Sequence, residues 1–120
     1  MDDPDLADAP HHAALAGLSR VNWFSATSRH LWAAILPLAR QRQQIRVLDL
    51  GSGGGDVLCR LALYANQANL SFVGVGCDLR ETACRHARQE ADRWLGEAKR
   101  TRVEFVQLNC LHDELPSDFD

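Results

Sequence analysis

The sequence lacks most of the features that would place it at a glance. Its four cysteines, Cys59, Cys77, Cys84 and Cys110, form no C-x-x-C pair and have no histidine at ligand spacing. That argues against a zinc site or a disulfide framework and leaves small reduced thiols in or near a core, as expected of a cytoplasmic protein. No apolar run approaches the roughly 20 residues that span a bilayer, so no membrane role is expected. The opening MDDPDLADAP has neither the basic nor the apolar segment of a secretory signal. Basic surplus is missing too. Thirteen lysines and arginines face 16 aspartates and glutamates, a net charge of −3, which argues against a nucleic-acid partner held through phosphates.

What is present suits one small domain. The 120 residues are 46% hydrophobic and 24% charged, enough to bury a real core. Residues 1–14 read as a flexible acidic leader. Residues 15–39 carry apolar positions at helical spacing, among them Leu18, Val21, Trp23, Phe24, Leu31, Trp32, Ile35, Leu36 and Leu38, as one long or two short amphipathic helices. Pro37 is expected to end or kink the second. Residues 45–50 form a short β-branched apolar run typical of a buried strand. A helical pattern follows over 55–66, a second apolar strand over 70–77, a third helix over 81–98 and a third strand over 103–108. The apolar face of the third helix is expected to be Ala83, Ala87, Ala91, Trp94, Leu95 and Ala98. This alternation predicts an α/β, Rossmann-like three-layer sandwich with a partial parallel sheet of three strands preceded by N-terminal helices.

The most informative stretch is VLDLGSGGGD, residues 47–56. It turns from strand into helix through Gly51, Ser52, Gly53, Gly54 and Gly55, at the place where doubly wound sheets bind ligands. Glycines there admit positive φ and the close approach of a ligand, and the following helix offers free N–H groups. A dinucleotide fingerprint wants Gly or Ala at the sixth place, where this chain has Asp56, an acid that repels a pyrophosphate. Asp49, two residues before the first glycine, suits a ligand with an ammonium or other positive centre. Asp78, at the tip of the second strand, can accept from both hydroxyls of a ribose, or simply serve the start of the next helix. Asn109, with the Cys110 N–H beside it, can read an adenine edge, or simply shape a turn.

Together VLDLGSGGGD, FVGVGCDLRETACRHAR and VEFVQLNCLHDELPSDFD resemble the first half of a class I S-adenosylmethionine-dependent methyltransferase over residues 45–120. The resemblance implies that Asp49 and the Gly51, Ser52, Gly53 and Gly55 loop hold the methionine portion of S-adenosylmethionine. It implies that Asp78 takes the ribose hydroxyls, that Leu79 packs on the adenine, and that Asn109 and the Cys110 N–H face the adenine edge. The family often has Asp where this chain has Asn109; an amide oxygen still accepts from the adenine amino group. No metal is implied and the catalytic residue is unassigned. His86 reads as a solvated helix residue, and His112 lies nearer the expected pocket.

The family's sheet order is three-two-one-four-five-seven-six, and DFD at 118–120 would open its fourth strand. The chain is therefore expected to be the N-terminal part of the domain, truncated before that strand, inactive alone and prone to self-association through the uncovered sheet edge. The expected acceptor is a small molecule. Two other readings stand beside this one: a nicotinamide-dependent oxidoreductase, and a non-catalytic oligomerising domain.

Overall fold

The computed structural model describes residues 9–120 except Glu97, with side chains from Trp23 onward. The elements are α1 (Ala9–Arg42), β1 (Gln44–Leu50), α2 (Asp56–Gln67), β2 (Ser71–Asp78), α3 (Glu81–Leu95) and β3 (Thr101–Gln107). The three strands form one parallel sheet in the order β1-β2-β3. Type and order follow the alternation of apolar runs in the sequence. The bounds differ by a residue or two, except that α3 ends three residues early, at Leu95.

α1 departs further from expectation. It is one helix of 34 residues that runs through Pro37 to Arg42. Proline lacks the N–H that would bond the carbonyl four residues back, here that of Ala33. Both Ala33 and Pro37 are exposed, so the freed carbonyl meets water. Ile35, Leu36 and Ala39 meanwhile pack on the core and hold the residues on both sides of the defect against it. The helix also begins at Ala9, inside the segment expected to be a leader. Residues 1–8, and the side chains of Leu18 and Val21, lie outside the described residues.

Register explains where the core sits. Ile45 pairs with Phe72, Val47 with Gly74 and Asp49 with Gly76, while Gly74 pairs with Val103 and Gly76 with Phe105. Side chains alternate along a strand, so these residues share one face, and all three helices pack against it. Its core joins Ile45, Phe72 and Phe105 to Leu58, Leu61 and Ala62 of α2, Cys84 and Ala87 of α3, and Ala39 of α1. On α3 the buried residues are Cys84, Ala87 and Ala91, so a cysteine takes a place expected of the neighbouring Ala83. A Cβ on Gly76 would sit 2.6 Å from the Phe105 ring and 2.7 Å from Ser52 Oγ. Only a bare backbone lets β2 pass beneath both.

The far edge of β1 meets the last residue. The Asp120 N–H donates to the Arg46 carbonyl at 2.9 Å, and the Arg46 N–H donates to Asp120 Oδ2 at 2.8 Å. Arg42 forms an ion pair with the same carboxylate. No described helix is long and apolar enough to cross a membrane.

Candidate functional site

The turn from β1 into α2 is held in three ways. The N–H groups of Gly51 and Ser52 both donate to the Cys77 carbonyl, at 2.7 and 2.9 Å. The Gly53 N–H donates to Asp78 Oδ2 at 3.0 Å. Gly51, Gly53 and Gly55 take φ of +71°, +56° and +81°, where a side chain is strained. The loop is thereby pinned to the tip of β2. The glycines serve different ends. A Cβ on Gly55 would lie 2.7 Å from Phe105 and 3.0 Å from Ala87, whereas one on Gly51 or Gly53 would meet nothing within 4 Å. Gly55 lets α2 start close against the core; Gly51 and Gly53 leave open space above the loop.

That space is a cleft of about 340 Å³ between the loop and α1, within the size range of small-ligand sites. Its loop side carries Asp49, Gly51, Ser52, Gly53, Gly54 and Asp56, and its α1 side Trp23, Phe24, Thr27 and Leu31. Asp49 is half-buried, and burial pushes its carboxyl above the usual carboxylate range. Among the described residues no hydrogen-bond donor reaches it. Ser52 Oγ is buried and likewise without a partner among the described residues. Unmet buried polar atoms such as Ser52 Oγ are rare in folded proteins, and Ser52 and the half-buried Asp49 line one cleft. His86 of α3 approaches from the side: a Cβ on Gly54 would stand 3.2 Å from its ring.

Asp78 is the most constrained acid of the site. It is 7% exposed and lies on the same sheet face as Asp49. Oδ1 accepts from the Arg80 N–H at 2.9 Å and from Arg80 Nε at 3.2 Å. The Arg80 backbone N–H is the main reason its carboxyl is held below the usual range, with the Arg80 side chain and the Gly53 N–H adding to it against the opposing effect of burial. Arg80 itself is exposed. Two of the roughly four acceptor positions of a carboxylate are thus tied to backbone, a third to a side chain free to leave, and a fourth is open.

Asp78 and the remaining sequence-predicted residues gather at the same end of the sheet without lining the cleft. Leu79 is 62% exposed beside Asp78. Asn109 Oδ1 accepts from the Leu111 N–H at 3.0 Å, and its carbonyl from the N–H groups of His112 and Asp113, so Asn109 shapes the turn after β3. Cys110 is exposed, and Cys59, Cys77 and Cys84 are buried free thiols. Burial, with Asp56 and Glu90 nearby, pushes Cys59 up to about 12. A second cleft, lined by Asn66, Asn69, Leu70, Lys99 and Arg100, lies at the amino ends of β2 and β3, away from the glycine loop. Missing from the sequence reading were Trp23, Phe24, Thr27 and Leu31 as cleft residues. Their spacing showed a helix face but not what that face meets.

No protein-family model matches this chain, and no curated protein is significantly similar to it. Solved structures are. The Bacillus subtilis YcgJ protein matches at 23% identity and a TM-score of 0.52 over 77% of this chain and 36% of its own. Magnesium protoporphyrin IX methyltransferase (ChlM) from Synechocystis, solved with bound SAH, matches at 23% identity and a TM-score of 0.58 over 79% of this chain and 38% of its own. YjhP from E. coli is 30% identical over 64% of this chain and 28% of its own, with a TM-score of 0.44. The chain thus spans about a third of the length of the proteins it matches. It has the Rossmann-like α/β fold that the resemblance to class I S-adenosylmethionine-dependent methyltransferases implied.

Proposed function

We propose that this chain is the cofactor-binding part of an S-adenosylmethionine-dependent methyltransferase that acts on a small molecule. The observation that carries the reading is the cleft over the glycine loop, where the half-buried Asp49 carboxyl and the buried Ser52 hydroxyl have no partner among the described residues. A zwitterionic aminoacyl group fits such a place. Its ammonium would neutralise Asp49, and its carboxylate would accept from Ser52 and from N–H groups at the start of α2.

Asp78 would accept from the ribose hydroxyls through its open position and the one Arg80 Nε now holds. The Arg80 side chain is exposed, and its exchange leaves the Arg80 and Gly53 N–H bonds to Asp78 in place. Leu79 would cover the adenine, with Asn109 and the Cys110 N–H at its edge. When bound, the cofactor supplies a methyl group on a sulfonium that is its own leaving group. The protein's part is then to fix position, which accounts for about 7–11 kcal/mol of barrier in well-oriented reactions.

Asp56 weighs against the oxidoreductase reading. It lines the cleft with Asp49, so a pyrophosphate above the loop would face two carboxylates. Calorimetric titration separates the readings: S-adenosylmethionine and S-adenosylhomocysteine bind and NAD does not. NAD binding with no response to the other two would overturn the proposal.

A further inference from the structure

We propose that Trp23 and Phe24 of α1 form an aromatic wall that binds the positively charged methionyl end of the cofactor. The inference rests on the proposed function. α1 is then part of the cofactor site and not only a cover for the core.

Three observations meet here. First, Trp23, Phe24, Thr27 and Leu31 face the glycine loop across the cleft, at the three-and-four spacing of one helix stripe. Second, Trp23 is 61% exposed, an unusual position for the largest apolar side chain on a helix whose next turns are docked. Its ring packs edge-on to Phe24 at 5.0 Å between centroids. The turn is fixed by fully buried Ser28, whose hydroxyl donates to the Phe24 carbonyl at 2.6 Å. Third, among the described residues the formally charged ones that line the cleft are Asp49 and Asp56. Carboxylates on one side and the electron-rich faces of aromatic rings on the other both attract a cation, and neither favours an anion. An onium group between them meets both.

The test measures the affinities of S-adenosylmethionine, S-adenosylhomocysteine and adenosine for the wild-type chain, Trp23→Leu and Trp23→Phe. Adenosine lacks the methionyl end. Trp23→Leu is expected to weaken S-adenosylmethionine about three- to tenfold and leave adenosine unchanged, while Trp23→Phe, which keeps a ring, stays within about twofold of wild type. A matching loss for S-adenosylhomocysteine puts the ammonium against the ring, and a loss confined to S-adenosylmethionine puts the sulfonium there; both support the proposal. Unchanged S-adenosylmethionine affinity in Trp23→Leu, an equal loss for adenosine, or a Trp23→Phe loss as large as that of Trp23→Leu would overturn it. A wild-type chain that binds none of the three would instead overturn the proposed function on which the inference rests.

Discussion

Two glycines four residues apart provide a sharp test, because the structure gives them different work. Alanine at Gly55 must adopt φ near +81° and place its Cβ 2.7 Å from Phe105 and 3.0 Å from Ala87. The backbone term costs about 1–2 kcal/mol and overpacking adds about 1–3 kcal/mol, for a total of about 2–5 kcal/mol. That is a large part of the ~5–15 kcal/mol that holds a domain together. Alanine at Gly51 carries a similar backbone cost at φ +71° but meets no atom within 4 Å, so the loss stays near 1–2 kcal/mol. At about 4 °C per kcal/mol for a chain of this size, the melting temperature should fall by about 4–8 °C for Gly51→Ala and about 8–20 °C for Gly55→Ala. Binding should run the other way. Below both melting temperatures, Gly51→Ala puts a methyl group where the ligand approaches and should weaken S-adenosylhomocysteine at least tenfold, whereas Gly55→Ala should retain most of its affinity. Thermal unfolding and calorimetric titration on the same preparations check both halves. Equal melting shifts, or wild-type affinity in Gly51→Ala, would refute the division of roles.

The two carboxylates give predictions of opposite sign. Burial raises Asp49 in the folded chain, so its contribution to stability is whole below the unfolded value and is lost as pH rises through the folded one. Asp49→Asn should therefore melt higher than wild type at neutral pH, yet bind S-adenosylmethionine at least tenfold more weakly. Wild-type affinity should climb with pH until Asp49 is ionised and then level off; a flat profile from pH 4 to 7 would count against the contact. Asp78 is lowered, so its contribution is present above the unfolded value and fades as pH falls through the folded one. Asp78→Ala strands the Gly53 and Arg80 N–H groups and should cost about 2–4 kcal/mol at neutral pH, a penalty that shrinks in acid. It should also remove most adenosine affinity, and unchanged affinity would show that the ribose assignment is wrong.

Which parts of this were legible in the sequence follows from the range of the forces involved. β1, α2, β2, α3 and β3 are written in local periodicity, and the parallel order follows from the helices between strands. The glycine loop was legible because positive φ and close approach are demands that glycine meets best. Pro37 does not end α1, since its cost depends on whether Ala33 faces water, which tertiary packing decides. Cys84 was passed over because the face that α3 buries is set by Phe72 and Phe105 across the sheet. The pinning of Asp78 by Gly53, and the placing of Trp23 and Asp49 on opposite sides of one cleft, join residues about 25 positions apart. No local pattern encodes such contacts.

On the proposed function, the cleft over the glycine loop holds an adenosine-linked aminoacyl ligand. Mapping amide chemical shifts on addition of S-adenosylhomocysteine tests it most directly. The largest shifts should fall on Asp49 through Gly54, on Asp78 and Leu79, and on Asn109 and Cys110. Shifts centred instead on Asn69, Lys99 and Arg100 at the other end of the sheet, or none at saturating ligand, would contradict it.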